Sequence, residues 1–588
     1  MYFITNPKKA KDPQPDFSGR RKLLLAFILG GMTMLIGRAI DLQVINNQFL
    51  QHQGNRRQID TVTIPGYRGK ILDRNGAPLA ISTPVQSIWV NSQFCKDIAE
   101  ATPTNVPEEC FQLTSKKLVQ LSDLLKIPVR KVEKAFAQES GRKFAYLKRR
   151  VSPGLVEKVK RLQLPGVFSE PEFKRFYPSG EVSAHILGYT NIKDVGQEGL
   201  ELMYEQALRG KSGKKRVIRD GKRNIIESIE SINEPSAGQN LELTIDQRLQ
   251  YLAYRELKVA VDKHKARSGS LVMLDAKNGN ILATVNYPSF NPNGKKSLQY
   301  IRNRVFTDKF EPGSTVKPFV VAAALEGGYI NPDVVIETHG FYRVGRQLVR
   351  DIHNYGDLDL TATLKKSSNV AASKIALAMP SDYFWGFYNK LGFGELPGIG
   401  FPGETSGFLL DHNTWSDFEK ATLSFGYSLS TSILQLARAY TVFADDGILH
   451  SVSLLNREED NEAQRVLSPE IARKIRGMLE QVVKRDGTAF QARVDGYRVA
   501  GKTGTVKKST AGGYASDSYL SIFAGIAPAS NPRFVTVVVI DEPSVKDYYG
   551  GIVAGPVFSK VVGGALRTLN IAPDEEATMP LLLAGKRS

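Results

Sequence analysis

The longest apolar run of the chain lies near its N-terminus, from Leu23 to Ile40, and Arg38 is its one charged residue. As a helix these 18 residues would extend about 27 Å, just enough to cross the hydrocarbon core of a bilayer. The pattern therefore predicts a transmembrane anchor over residues 23–42. A cleaved signal peptide is the alternative, but the run is long for one and no small-x-small cleavage site follows it.

Basic residues precede this apolar run: Lys8, Lys9, Lys11, Arg20, Arg21 and Lys22. Such a flank normally stays in the cytoplasm. Residues 1–22 are therefore predicted to be a cytoplasmic tail, and nearly everything after residue 42 is predicted to lie outside the membrane that the single helix crosses.

Between residues 43 and 235, short apolar runs alternate with turn residues and dense charge, without recognisable chemistry. Helical periodicity is present from Lys116 to Leu125 and from Val129 to Phe136, and Asn75-Gly76 indicates a turn. These features predict a non-catalytic pedestal of mixed α/β structure over residues 43–235. Its charge runs are read as solvated faces.

A second domain, residues 236–571, is predicted to start where the pattern changes near residue 241, and a polar tail, residues 572–588, follows it. Alternation in Leu241–Asp246 predicts a strand, and the residues after it, Gln247 to Val261, predict a helix. Further strands are predicted at Ser270–Asp275 and Ile281–Asn286, and an antiparallel hairpin at Ser518–Ile526 and Arg533–Ile540.

The net charge of the chain, together with its predicted location, restricts the classes of binding partner. The chain carries a net charge of +18 in an otherwise ordinary composition, 42% hydrophobic and 23% charged, which suggests an anionic partner. An exported location removes nucleic acid from the possibilities. An anionic membrane surface or an acidic polymer remains, beside a plain role in solubility.

Cysteines and histidines supply no metal chemistry. Cys95 and Cys110 are the only cysteines, and outside the cytoplasm they could be a structural disulfide or two free thiols. None of the seven histidines stands in a metal-ligand spacing. No metal and no other cofactor is expected.

The strongest candidate for chemistry is Ser314-Thr-Val-Lys317, which follows Pro312-Gly313 and precedes an apolar stretch from Phe319 to Leu325. Proline and glycine mark a helix entrance, and a helix apolar on every side is typical of a domain centre. Because positions i and i+3 share a helix face, Lys317 can direct its amine at the Ser314 hydroxyl. Burial or a second cation would lower the pKa of Lys317 and make it a base.

A Ser-x-x-Lys pattern alone is weak, since Ser212-Gly-Lys-Lys215 also matches it within a cationic turn. Two further motifs accompany Ser314 and distinguish it from Ser212. Ser367-Ser-Asn369 follows Ser314 at about fifty residues, and Lys502-Thr503-Gly504-Thr505 stands on a strand-like segment. On an edge strand the second companion would place a cation and hydroxyls where a peptide ending in a carboxylate can add as an extra strand.

The order Ser-x-x-Lys, Ser-x-Asn, Lys-Thr-Gly resembles the penicillin-recognising serine transferases and hydrolases. The resemblance implies that Ser314 is acylated by a D-Ala-D-Ala stem peptide or a β-lactam, and that Lys317 takes its proton. It further implies a proton relay and amide-binding role for Ser367 and Asn369, and carboxylate binding by the Lys-Thr-Gly segment: Lys502, Thr503, Gly504 and Thr505. Backbone N–H groups of Ser314 and Thr505 would form the oxyanion hole.

The likeness covers most of the exported chain and is closest to class B enzymes, which carry a pedestal of the dimerisation type before the transpeptidase domain. Pedestal segments that carry it are Arg68–Gly76, Arg175–Pro178, Ala184–Gly188 and Gly196–Glu201. The implied fold is α+β and multidomain: one transmembrane helix, a mixed pedestal, and a transpeptidase domain with an antiparallel sheet, helices on both faces and an all-helical subdomain.

Within class B, three segments resemble the division-septum transpeptidase of Gram-negative bacteria, the FtsI type: Phe310–Ser314, Ser424–Tyr427 and Tyr548–Gly551. That type implies septal cross-linking during cell division, an inner-membrane anchor with a periplasmic catalytic domain, and inhibition by β-lactam antibiotics. Its implied partners are a SEDS-type glycosyltransferase and other divisome membrane proteins. The elongation-type transpeptidase is the nearer alternative.

Other functions fit the sequence less well. A β-lactamase would need a deacylating Glu-x-x-Leu-Asn segment, which is absent between Asn369 and Lys502. A penicillin receptor would need a cytoplasmic effector domain, and a non-catalytic division scaffold would not need intact motifs. One departure from the family is Ser428–Ile433, where Gly-x-x-x-Thr-Pro is more usual; it leaves the local loop geometry open.

Overall fold

A computed structural model gives the fold of the chain. It describes residues 18–50, 59–101, 106, 108–111, 114–137, 143–219, 225–294, 297–456, 462–510, 513–544 and 546–575. Most of the predicted cytoplasmic tail, with Lys8, Lys9 and Lys11, and most of the predicted polar tail lie outside the described residues.

The α-helices are, in chain order, α1 Ser18–Ile40, α2 Phe94–Ala101, α3 Ser115–Leu125, α4 Val129–Phe136, α5 Pro153–Lys160, α6 Ala184–Leu187, α7 Gly199–Met203, α8 Glu205–Leu208, α9 Gln247–Lys263, α10 Arg304–Thr307, α11 Lys317–Glu326, α12 Leu360–Lys366, α13 Asn369–Leu377, α14 Ser381–Lys390, α15 Asp417–Leu423, α16 Ile433–Ala444, α17 Pro469–Val483, α18 Gly550–Val553 and α19 Gly555–Thr568.

The strands are β1 Ile59–Ile64, β2 Ile71–Leu72, β3 Pro78–Val90, β4 Ala145–Val151, β5 Val167–Phe176, β6 Tyr189–Thr190, β7 Gly196–Glu198, β8 Gly213–Arg219, β9 Ile225–Asn233, β10 Leu241–Glu242, β11 Ser268–Asp275, β12 Ile281–Tyr287, β13 Ile336–Glu337, β14 Phe341–Val344, β15 Gln347–Arg350, β16 Asp357–Leu358, β17 Phe408–Leu409, β18 Leu429–Ser430, β19 Ile448–His450, β20 Ala463–Arg465, β21 Ala500–Thr510, β22 Gly513–Ala527 and β23 Phe534–Asp541.

One compact unit contains the described residues up to Pro65 together with Ser212–Ser236. Helix α1 continues as a short π-helical segment, and together they form a helix of 28 residues, Ser18–Ile45. It contains an 18-residue window with a mean hydropathy of 2.0, no part of which is buried. This stretch is long and apolar enough to cross a membrane. The unit also holds an antiparallel three-stranded sheet in the order β1-β8-β9.

The other unit contains the described residues of Gly66–Lys211 and Ala237–Ser588. Its smaller sheet has the order β10-β2-β3-β4, with β5 paired to β3. Helices α3 and α4 form where periodicity predicts them and bury Leu121, Leu125 and Val132 against this sheet. Cys95 and Cys110 form a disulfide with a Cα–Cα distance of 5.7 Å, so the paired alternative is the one present.

The segment Leu241–Asp246 differs from its prediction as one strand. Only Leu241 and Glu242 pair as a strand, parallel to β2, and Asp246 instead caps the N-terminus of α9 by accepting a hydrogen bond from the Arg248 N–H. The alternation does not mark a half-exposed strand, because the polar residues Thr244 and Asp246 are buried as well and have hydrogen-bond partners outside a strand ladder. The segment at the predicted start of the second domain therefore pairs with a pedestal strand.

Three of the pedestal segments that resemble the family contribute residues to one buried ion network. Arg68 Nε donates to one carboxylate oxygen of Glu201 at 2.5 Å, and Arg175 Nε donates to the other at 2.6 Å. Arg68 also donates to Glu205 at 2.6 Å. Burial alone would lower the pKa of Arg68, but the ion pair with Glu201 raises it. Two cations thus face two carboxylates.

The main sheet is fully antiparallel and has the order β12-β11-β23-β22-β21. It contains the predicted hairpin as β22 and β23, and β21 is an edge strand. Helices α9 and α19 pack on it together, while α16 packs on β11, β22 and β23. Helices α11 to α15 and α17 pack on one another as a helical subdomain. The predicted α+β architecture is confirmed.

Candidate active site

Ser314 lies in a turn between the main sheet and the helical subdomain. Gly313–Val316 form a 3-10 helix that leads into α11, whose residues Lys317–Leu325 are buried on every side. The helix entrance is therefore tighter than the α-helix that the sequence predicts. Gly313 has φ +56°, and a Cβ there would lie 2.4 Å from Val506, so both its conformation and its packing require glycine.

The second motif is a helix-to-helix turn. Helix α12 ends at Lys366, and Ser367 follows in the left-handed conformation with φ +61°. Ser368 caps α13 by accepting a hydrogen bond from the Ala371 N–H, and Asn369 is the first residue of that helix. The left-handed turn allows two successive helices to place Ser367 and Asn369 side by side.

Lys317 is 0% exposed and directs its amine at this turn. Its Nζ donates to the Ser367 carbonyl at 2.5 Å, to Asn369 Oδ1 at 2.7 Å and to Ser367 Oγ at 3.2 Å. Burial, followed by the nearby charge of Lys502, holds the pKa of Lys317 well below the usual lysine value. This lowered pKa favours the neutral amine, which is the form of lysine that can accept a proton.

Lys502 reaches the same turn from edge strand β21. It is 0% exposed, and its Nζ donates to Ser367 Oγ at 3.0 Å and to the Thr503 carbonyl at 3.2 Å. Burial lowers the pKa of Lys502 to about 7. The Ser367 hydroxyl therefore lies within hydrogen-bonding distance of both lysine amines.

The rest of the Lys-Thr-Gly segment faces the nucleophile turn. Thr503 Oγ1 donates to Thr488 Oγ1 at 3.1 Å, and Thr505 Oγ1 accepts from the Gly550 N–H at 3.0 Å. A Cβ at Gly504 would lie 3.0 Å from the Thr315 side chain. Glycine at 504 therefore lets the edge strand approach the turn that holds Ser314.

The structure brings together residues of all three predicted motifs, but it does not test their roles. Among the described side chains, no hydrogen bond joins Ser314 Oγ to Lys317 Nζ, so proton transfer between them stays a prediction; such contacts often tighten only with substrate bound. Ser212, in the competing pattern, is exposed and belongs to the other compact unit. No metal-ligand cluster of three or more His, Cys, Asp or Glu occurs in the described parts of the chain.

Sequence reasoning missed an aromatic and acidic group beside Ser314. Tyr514, on β22, donates to Glu311 at 3.1 Å and packs edge-on against Tyr427 at 5.3 Å between ring centroids. Burial raises the pKa of Glu311. No local pattern relates these residues, because only the antiparallel hairpin carries Tyr514 back to the helix entrance.

The unusual segment Ser428–Ile433 keeps its structural role with different residues. Ser428 has φ +60°, a conformation that favours glycine. Ser432 and Gln435 form a reciprocal capping box at the start of α16, so serine caps the helix without a following proline. The loop geometry that the sequence left open is therefore a strained turn followed by a well-capped helix.

Comparisons with known proteins agree with this geometry. Residues 269–563 match the family described as penicillin binding protein transpeptidase domain, and residues 63–243 match the penicillin-binding protein dimerisation domain. The chain is 40% identical to the peptidoglycan D,D-transpeptidase FtsI of Escherichia coli K12, over 97% of this chain and 95% of that protein. It is also 40% identical to the "Probable peptidoglycan D,D-transpeptidase PenA" of Neisseria meningitidis serogroup A, over 97% of each chain.

Two solved structures extend the comparison. The apo transpeptidase domain of Burkholderia pseudomallei penicillin-binding protein 3 is 42% identical, with a TM-score of 0.53, over 57% of this chain and 98% of that one. A peptidoglycan synthetase from Bifidobacterium adolescentis is 25% identical, with a TM-score of 0.68, over 89% of this chain and 99% of that one.

Proposed function

This chain belongs to the class B penicillin-binding protein family, and from that membership we propose that it is a peptidoglycan D,D-transpeptidase acting through an acyl-enzyme on Ser314. Its substrates are stem peptides ending in D-Ala-D-Ala. The observation that carries the proposal is the Ser367 hydroxyl, which lies 3.2 Å from the Lys317 amine and 3.0 Å from the Lys502 amine.

In the first half-reaction, Ser314 Oγ attacks the carbonyl of the penultimate D-Ala while neutral Lys317 accepts the hydroxyl proton. The terminal carboxylate of the donor peptide binds near Lys502, with Thr503 and Thr505 beside it. Collapse of the tetrahedral intermediate breaks the peptide bond, and a proton relayed through Ser367 converts the leaving nitrogen to the amine of D-Ala. Asn369 holds Lys317 and the substrate amide in register.

In the second half-reaction, an amine of a neighbouring stem peptide attacks the Ser314 ester. Its proton returns through Lys317 to Ser314 Oγ, so that a new peptide bond forms and the serine is regenerated. A β-lactam enters the same first step, but its leaving nitrogen stays tethered to the acyl group. The adduct therefore remains on the enzyme, and the chain is a penicillin target.

The decisive experiment uses the full-length protein in detergent and a fluorescent penicillin. Wild type is expected to form a long-lived adduct that mass spectrometry places on Ser314, and Ser314→Ala is expected to form none. Ser212→Ala is the matched control, because it alters the competing pattern outside this site. Rapid turnover of the label would instead indicate a β-lactamase, and an adduct on Ser314→Ala would refute the nucleophile.

The same proposal assigns the chain a cytoplasmic tail (1–22), an anchor (23–42), a pedestal (43–235), a transpeptidase domain (236–571) and a polar tail (572–588). The catalytic domain is periplasmic and the single span lies in the inner membrane. A C-terminal alkaline phosphatase fusion tests this orientation: phosphatase activity in intact cells is expected, and its absence would reverse the topology.

Septal cross-linking is the proposed biological role, with a SEDS-type glycosyltransferase and other divisome membrane proteins as partners. The 40% identity to a protein named FtsI over nearly the full length supports this role. A fluorescent fusion in dividing cells should concentrate at midcell. A signal along the side wall only would favour the elongation type, and normal septation of a Ser314→Ala strain would favour a non-catalytic scaffold.

A further inference from the structure

Asp351 lies outside all three motifs, in the loop after β15, yet its carboxylate contacts two atoms of the second motif and one atom of the residue that follows it. Oδ2 accepts a hydrogen bond from Ser368 Oγ at 2.5 Å. Oδ1 accepts from the backbone N–H of Asn369 at 2.5 Å and from that of Val370 at 3.1 Å. One carboxylate therefore holds the cap and the first two residues of α13.

These contacts satisfy the start of α13. The first N–H groups of a helix have no partner within it, and a negative charge beside them is favourable. Ser368 Oγ accepts from Ala371 N–H at 2.9 Å, while Asp351 takes the two N–H groups before it. Because Asp351 is distant in sequence, this cap ties the turn to the β14–β15 hairpin.

The same loop orients the Asn369 side chain. Asn369 Nδ2 donates to the Arg350 carbonyl at 3.1 Å, and Asn369 Oδ1 accepts from Lys317 Nζ at 2.7 Å. A carboxamide has a donor end and an acceptor end, so the Arg350 carbonyl fixes which end faces Lys317. Residues 350–351 thus hold both the backbone and the side chain of Asn369.

Charge adds to this geometry. The groups that act on the Lys317 amine are the Lys502 cation, from β21, and the Asp351 carboxylate, from the loop after β15. Burial and Lys502 lower the pKa of Lys317, and Asp351 opposes both. Tyr355, in the same loop, faces Asp351, and burial together with that carboxylate raises its pKa.

We propose that Asp351 is a positioning residue for the acylation of Ser314, because it holds the Ser367–Asn369 turn against Lys317 and supplies a counter-charge to that lysine. This role rests on the proposed transpeptidase function. It has two separable parts. One is geometric and depends on the hydrogen-bond acceptors; the other is electrostatic and depends on the negative charge.

Two variants of the full-length protein separate these parts. Asp351→Asn keeps the shape and one acceptor oxygen but removes the charge, while Asp351→Ala removes both. The matched control is Asp359→Asn, because Asp359 also caps a helix, α12, by accepting from Ala362 N–H at 2.6 Å, yet is exposed and does not contact the second motif. The measurement is the second-order rate of penicillin acylation at Ser314 from pH 5 to pH 10.

Both Asp351 variants lack the negative charge that raises the pKa of Lys317, so the acidic limb of their rate profiles should move to lower pH. In Asp351→Asn the plateau rate should fall less than about 10-fold, whereas in Asp351→Ala misplacement of the turn should lower it by about 100-fold. Asp359→Asn should reproduce the wild-type limb and plateau.

An unmoved acidic limb in Asp351→Asn would overturn the electrostatic part, and a wild-type plateau in Asp351→Ala would overturn the geometric part. Rates are expressed per folded molecule, so a mere loss of stability moves neither readout. Failure of this proposal is distinguishable from failure of the proposed function, since only the latter would leave wild-type Ser314 unlabelled.

Discussion

The same compact unit contains two groups of buried charges, one that serves as structure and one that can transfer protons. In the pedestal, the guanidinium groups of Arg68 and Arg175 share the Glu201 carboxylate at 2.5 and 2.6 Å, and Arg68 also reaches Glu205. In the catalytic domain, Lys317 and Lys502 are both 0% exposed and converge on one neutral hydroxyl, that of Ser367.

The two groups differ in whether each buried cation has a carboxylate paired with it. Where each buried cation has a carboxylate beside it, the opposite charges offset each other and the group serves as structure. Where two cations share a neutral hydroxyl, burial lowers the pKa of Lys502 to about 7, and that of Lys317 falls well below its usual value. Proton transfer near neutral pH becomes available only in the second case.

The largest expected effect is on catalysis, from Lys317→Ala. Loss of a general base typically lowers a rate by about 10²- to 10⁴-fold, so penicillin acylation of Ser314 should fall by about 10³-fold. Thermal unfolding should show a folded variant, since none of the described carboxylates forms an ion pair with Lys317.

Lys420→Ala is the matched control for that variant. Lys420 is also buried, and its amine donates to the Met379 carbonyl away from the three motifs. Its acylation rate per folded molecule should match wild type. A comparable loss of rate in both variants would attribute the effect to packing and remove the contrast between the two lysines.

Glu201→Gln should have the largest effect on stability. Breaking a buried ion pair from one side leaves charges without a partner and costs about 3–5 kcal/mol of unfolding free energy. Denaturant titration would measure this loss, while acylation per folded molecule stays unchanged. Glu157→Gln, in an exposed pair with Lys160 at 3.1 Å, should cost less than about 1 kcal/mol.

The next largest effect is expected in the pH dependence of the unfolding free energy, which should reveal the buried lysine Lys502. Lys502 releases its proton near pH 7 in the folded chain but near 10.5 when unfolded. Between these values the unfolded chain binds more protons, so stability relative to Lys502→Met should rise with pH, on the order of 2 kcal/mol from pH 7 to pH 9. A flat difference would show that Lys502 is not destabilised as a cation.

The smallest expected effect is a gain, from Ser428→Gly. Ser428 has φ +60°, which costs a non-glycine residue about 1–2 kcal/mol, partly offset by the greater entropy of unfolded glycine. The variant should be more stable by about 0.5–1 kcal/mol with unchanged acylation. A loss of stability would mean that the serine hydroxyl makes a contact that outweighs the strain.

Much of the site could be predicted from the sequence because motif order carries long-range information. Ser314, Ser367 and Lys502 are far apart in the chain. The structure around each one, a buried helix, a turn and an edge strand, can nevertheless be predicted from the neighbouring residues. The main hairpin and the helices α3, α4 and α9 were likewise set by periodicity.

What the sequence could not supply are contacts made by single residues across the fold. Asp351 and Tyr514 belong to no pattern, and each reaches the site only through a hairpin whose register fixes its position. The pedestal network is a similar case: Arg68 and Glu201 are 133 positions apart, and their pairing depends on tertiary packing. The strand predicted over Leu241–Asp246 is present only at its first two residues, because Thr244 and Asp246 are buried with hydrogen bonds to distant carbonyls and to a helix N-terminus.

The central claim is that burial without a direct ion pair makes Lys317 a base and Lys502 a titrating cation around one hydroxyl. Its most direct test is the rate of Ser314 acylation by a penicillin as a function of pH from 5 to 10, read by mass spectrometry on the full-length protein. The rate is expected to rise along an acidic limb and to reach its maximum well below pH 10. A rate that instead keeps rising toward pH 10, as an ordinary lysine with a pKa of 10.5 loses its proton, would contradict the account.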